Sequence, residues 1–182
     1  MNHCHGLEVR TAISSSLTIR SAVIAKLADE DYRMVIVLSG IHNALRRQTQ
    51  ARLDEQLNEA NPTNWMTLTD EDRDFHPPAA KPSAYLSTQD NKVVLAVVKK
   101  HPVVLRRLIK WLNTVDGRQA LQFARVAVID DEADQASVAT ARINPLIRKL
   151  LGLMPRCTYI GYTATPFANV FIDPKAEDLY PK

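Results

Sequence analysis

Cysteine is scarce in this chain, with only Cys4 and Cys157. Two cysteines build no disulfide framework, so a packed core must hold the fold. Glycine is scarce too: only Gly6 precedes Gly40, and no lysine precedes Lys26. Apolar runs stay short of the roughly 18 residues that span a bilayer. The opening Met1-Asn2-His3-Cys4-His5-Gly6 has neither the basic start nor the apolar stretch of a secretory signal, so a cytoplasmic location and no membrane partner are expected. A net charge of only +3 does not by itself establish a nucleic-acid partner. Internal repeats and coiled-coil heptads are absent as well.

What is present is a rhythm. Four short Val- and Ile-rich runs read as buried strands: Met34 to Leu38, Val93 to Val98, Val126 to Ile129 and Thr158 to Ile160. Amphipathic helical stretches separate most of them, at Ala44 to Leu57, Val103 to Leu112 and Ile143 to Leu151, the last opened by Asn144-Pro145. Strands alternating with helices predict βαβ units, hence an α/β fold with a parallel sheet flanked by helices. Residues from about 60 to 90 break the rhythm with Pro62, Pro77, Pro78 and Pro82. They read as a long insertion with a short extended piece at Trp65 to Leu68. Trp111, on an apolar helix face, reads as core.

The strand Val126 to Ile129 runs into Asp130-Asp131-Glu132-Ala133-Asp134. Ligands of open parallel sheets bind beyond the carboxyl ends of the strands. Carboxylates crowded there raise one another's pKa unless a cation compensates. Magnesium carrying nucleotide phosphates would do so, with Asp131 holding the metal and Glu132 orienting and deprotonating the attacking water. A solvated turn, with Asp134 capping the next helix, is the plainer alternative. The strand Thr158 to Ile160 leads into Gly161-Tyr162-Thr163-Ala164-Thr165-Pro166. There the Thr163 and Thr165 hydroxyls could meet nearby carboxylates or phosphates.

Asp131-Glu132-Ala133-Asp134 with Thr163-Ala164-Thr165 resembles motifs II and III of superfamily-two helicases of the DEAD type. Val35 to Gln50 looks like their motif Ia region. The longer strings resemble more closely the Z-one domain family, bacterial proteins labelled endonucleases that carry a helicase-like ATPase core. These strings are Gly40-Ile41-His42-Asn43 through Arg52-Leu53-Asp54-Glu55, Val98-Lys99-Lys100, Ile129 to Ser137 and Tyr159 to Pro174. The resemblance covers residues 21 to 174, leaving 1–20 outside it as a non-matching terminus and 175–182 as a tail. It implies a RecA-like fold, the first domain of a motor, ATP and magnesium as cofactors, DNA as partner, and nucleotide contacts from Thr163, Thr165 and Asp134.

Such a motor needs Gly-x-x-x-x-Gly-Lys-Ser/Thr before its first helix, so that backbone amides cradle phosphate and lysine neutralises it. The corresponding place, roughly Ile13 to Thr18, reads Ile-Ser-Ser-Ser-Leu-Thr. Either the N-terminus has been lost or replaced, for which the abrupt start near Ser21 speaks, or this is a degenerate relative. The first alternative makes the rest of a larger motor protein an expected partner. The chain also stops soon after Pro174, so a second domain with an arginine finger is not expected. Weak or absent ATP hydrolysis by this polypeptide is the expectation.

Basic residues gather as Arg46-Arg47 with Arg52, Lys99-Lys100 with Arg106-Arg107, and Arg148-Lys149. Arg46, Arg47, Lys99 and Lys100 are the candidates for nucleic-acid backbone contact, against solvated helix faces as the ordinary alternative. His3-Cys4-His5 reads as a terminus rather than a metal site, since adjacent ligands cannot all reach one tetrahedral ion. Three other functions compete. A phosphoacceptor receiver domain with Asp173 as acceptor fails, because too few residues follow it. A RecA-like module that binds DNA or protein without turnover would take up no magnesium nucleotide. A magnesium nuclease would use Asp130, Asp131 and Asp134 directly.

Overall fold

The computed structural model describes residues 5–8, 16–87, 92–131 and 143–162. Among these residues six strands are formed: β1 (His5–Glu8), β2 (Tyr32–Ser39), β3 (Trp65–Thr67), β4 (Val93–Lys99), β5 (Arg125–Asp131) and β6 (Cys157–Tyr162). They make one sheet in the order β1-β6-β5-β2-β4-β3, and every pairing is parallel. The α/β architecture expected from the alternating runs is therefore the one observed.

Helices cover both faces. On one lie α1 (Ser16–Asp29) and α2 (Asn43–Leu53), the latter continued by a π-helical turn at Asp54–Asn58. On the other lie α3 (Pro82–Leu86), α4 (Pro102–Leu112), α5 (Val115–Phe123) and α6 (Asn144–Gly152). Side chains alternate along a strand, so each strand feeds both layers. Val35, Val37, Leu95, Val97, Ala127 and Ile129 pack with Ile24 of α1 and Leu53 of α2. Met34, Ile36, Val94, Ala96, Val126 and Val128 pack with Leu105 and Leu108 of α4 and Ile147 and Leu150 of α6. Burial on both faces is why these strands read as unbroken apolar runs.

Two stretches differ from the sequence expectation. Residues 5–8 and 16–20, placed outside the domain by the resemblance, form β1 and the start of α1. Within the proline-rich stretch, Trp65–Thr67 pairs with β4 as the outermost strand, and Phe75 and Leu86 are buried in the core. The Phe75 ring stands 5.7 Å from Trp111, which is itself buried as expected. The stretch is thus built into the sheet and its core.

Between β4 and β5 the chain makes two helices. α4 starts at Pro102, where the His101 ring accepts from the Val103 amide at 3.4 Å. α5 is capped by Thr114, whose hydroxyl accepts from the Gly117 amide at 3.1 Å. That cap brings Gly117 so close to the end of α4 that a Cβ there would run into the Leu112 carbonyl oxygen. Gly117→Ala is expected to destabilise the fold by about 1–3 kcal/mol, the range for overpacking. Gly152→Ala, with nothing within 4 Å of the added methyl, should be neutral or stabilise by up to about 1 kcal/mol. Urea unfolding of the two variants checks the contrast.

Candidate functional site

The site expected from sequence lies where β5 ends, in the middle of the sheet. Asp130 is registered with Leu38 of β2 and Gly161 of β6, and Asp131 with Tyr162 of β6. Because the two aspartates are adjacent on one strand, their side chains leave opposite faces. They do not converge on one point, so a nuclease centre using both carboxylates together is not formed.

Asp130 faces the α4–α6 layer and is completely buried. Lys100, the first residue after β4, reaches over β2 and forms an ion pair with it. Tyr159 of β6 donates its hydroxyl to the other carboxylate oxygen at 2.7 Å. The Lys100 amide donates to the Ser39 carbonyl at 3.2 Å, which ties the ends of β4 and β2 together. Burial pushes the Asp130 carboxyl above its ordinary value, while the Lys100 charge and the Lys100 and Tyr159 hydrogen bonds pull it down.

Asp131 faces the other layer. Its carboxylate pairs with the guanidinium of Arg20 on α1, both side chains being nearly buried at 10% and 12% exposure. The Arg20 guanidinium also stands 5.4 Å from the centre of the Tyr162 ring. Burial raises the Tyr162 hydroxyl above its ordinary value, with Arg20 acting against the shift and Asp131 adding to it. Neither Arg20 nor Tyr159 was singled out in the sequence. Only the two-residue spacing of Tyr159 and Gly161 in the β6 run placed Tyr159 on the Asp130 side, and that needs the register to be known.

Magnesium at Asp131 can be tested against this arrangement. The metal needs a near-octahedral set of oxygen ligands. Among the described residues no group of three or more His, Cys, Asp or Glu side chains is placed to hold a metal. Asp131 meets a cation of the protein's own, so magnesium there would compete with the Arg20 guanidinium. Glu132, Asp134, Thr163 and Thr165 lie outside the described residues. The strand–connection–helix position that a phosphate loop would occupy is β1 to α1. With α1 starting at Ser16, the connection is Val9-Arg10-Thr11-Ala12-Ile13-Ser14-Ser15, which has neither glycine nor lysine.

The four basic candidates separate into two pairs. Arg46 is 3% exposed, and its guanidinium donates to the Asp70 and Glu71 carbonyls at 2.9 and 2.5 Å. Lys100 is 2% exposed, in the ion pair already described. Both are spent on internal partners, so neither presents a face to a nucleic acid. Arg47 is exposed, 3.6 Å from Asp72. Lys99 is half-buried and donates to the Asn43 side chain at 2.6 Å.

Neither a protein-family model nor a curated protein sequence matches this chain, so none supports the Z-one affiliation. Among solved structures there is weak similarity to origin-recognition proteins. The Aeropyrum pernix ORC2 protein superposes with a TM-score of 0.35 at 14% identity, over 91% of this chain and 44% of that one. Drosophila ORC bound to DNA superposes with a TM-score of 0.31 at 8% identity, over 88% and 82%. This chain therefore spans less than half the length of the first. The α/β fold rests on strand order and register rather than on these superpositions.

Breaking a buried ion pair by deleting one partner costs about 3–5 kcal/mol, because the other charge is left uncompensated. Lys100→Met should therefore lower the unfolding free energy by roughly that amount. Lys100→Met with Asp130→Leu should recover most of it, as chemical denaturation of the single and double variants would reveal.

Proposed function

We propose that this chain is a RecA-like module of a DNA-acting protein of the Z-one kind, and that by itself it does not hydrolyse ATP. The single observation that carries the absence of turnover is the Arg20–Asp131 ion pair at the end of β5. A metal ion and a guanidinium compete for the same carboxylate. Here the guanidinium is supplied by the protein's own first helix at no cost in association entropy. Magnesium would have to displace it from a nearly buried carboxylate.

The connection from β1 to α1 supports the same conclusion. A phosphate cradle needs glycines so that backbone amides can approach the phosphates, and a lysine to neutralise them. Residues 9–15 offer neither. ATP and magnesium then belong to the lineage that the Asp131-Glu132-Ala133-Asp134 and Thr163-Ala164-Thr165 strings resemble. Within that lineage Glu132 would order water, and Thr163, Thr165 and Asp134 would face the nucleotide. In this chain the acidic strand end serves to hold strands and helix together.

With duplex DNA present, the chain is expected to release no phosphate from ATP above the level of its Glu132→Gln variant. A fluorescent ATP analogue should show no magnesium-dependent binding. Magnesium-dependent binding that disappears in Asp131→Asn, together with turnover that disappears in Glu132→Gln, would overturn the reading.

A further inference from the structure

The sequence pointed to the carboxyl edge of the sheet for nucleic-acid contact, yet two of the four cations chosen there are buried. The unmatched positive charge lies elsewhere. α4 buries Val104, Leu105, Leu108, Ile109, Trp111 and Leu112. The residues it leaves exposed are Val103, Arg106, Arg107 and Lys110, one stripe along the helix at the spacing of its turns. α6 packs against α4, buries Ile147 and Leu150, and leaves Lys149 exposed. Neither helix contains an aspartate or a glutamate.

Some exposed cations elsewhere are matched: Lys26 with Glu30, Arg47 with Asp72, Arg73 with Asp70. Arg106, Arg107, Lys110 and Lys149 make no ion pair or hydrogen bond among the described residues. Lys110 and Lys149 stand in the last turns of their helices, where the helix dipole favours a cation. That reason does not extend to Arg106 and Arg107, in the middle of α4. Four like charges held on two packed helices repel one another, which a polyanion laid across them would relieve.

We infer that the outward face of α4 and α6 is a docking surface for the phosphate backbone of duplex DNA. The choice of DNA as the polyanion rests on the reading of the chain as part of a DNA-acting protein. Four helix-borne cations match a ligand carrying one negative charge per about 1.7 Å of its axis. Contacts to phosphates alone make binding independent of sequence and driven by counterion release.

The test is fluorescence anisotropy of a labelled duplex of arbitrary sequence, titrated with the full chain at several salt concentrations. The logarithm of the binding constant should fall with the logarithm of salt at a slope of about −3.6 for four phosphate contacts. Arg106→Glu with Lys110→Glu should weaken binding at least tenfold and flatten the slope by about 2. Both side chains lie outside the core, and an unchanged melting temperature verifies that the variant is folded. Arg47→Glu with Lys99→Glu removes the competing basic edge. Loss of binding there, with the α4 variant unaffected, overturns this surface and leaves the DNA-acting reading standing. No duplex binding by the folded native chain overturns both. Binding to phosphatidylserine vesicles with the duplex ignored assigns the surface to lipid and overturns the proposal.

Discussion

Two neighbouring carboxylates at the end of a central strand are the constraint around which this fold is arranged. Neither Asp130 nor Asp131 has access to enough water to be solvated there. An isolated buried carboxylate is costly enough that it must find a cation or lose its charge. The strand's alternation sends the two to opposite layers, so one cation cannot serve both. Lys100 from the end of β4 answers Asp130, and Arg20 from α1 answers Asp131. The Arg20 pair secures α1 to β5, and the Lys100 pair ties the end of β4 to β5 across β2.

That arrangement separates resemblance from chemistry. The strings around β5 and β6 resemble those of a nucleotide site. The compensating charge that a metal nucleotide would bring is already supplied from inside. Away from that edge, a cluster of cations stands on the outward side of α4 and α6, helices that contain no carboxylate of their own.

The four apolar runs read as strands all lie in the sheet, and the helices after β2, β4 and β5 fall close to where their spacing put them. Continuous Val and Ile runs are legible because both faces of a parallel sheet are buried. Four elements were not legible, one of them α3 inside the proline-rich stretch. β1 is four residues long and, among the described residues, pairs only with β6. α1 opens in a serine- and threonine-rich stretch, and its apolar residues are not gathered into one clear stripe. α5 leaves Val115 and Phe123 exposed at 66% and 76% and has a glycine in its first turn, so no apolar stripe marks it. Trp65–Thr67 was visible as an extended piece, but membership of the sheet comes only from its pairing with β4.

By itself the sequence determined the alternation of strands and helices, the position of the acidic strand end, and the lack of a glycine-lysine phosphate loop. These are local properties, set by residue type and spacing. The tertiary structure decided which charges meet. Arg46 and Lys100 look like surface cations in a string of letters, and Arg20 looks like nothing in particular. Ion pairs at |i−j| of 111, or from the end of one strand across a second to a third, depend on strand order and register. Those are settled only when the two hydrophobic layers close on the sheet.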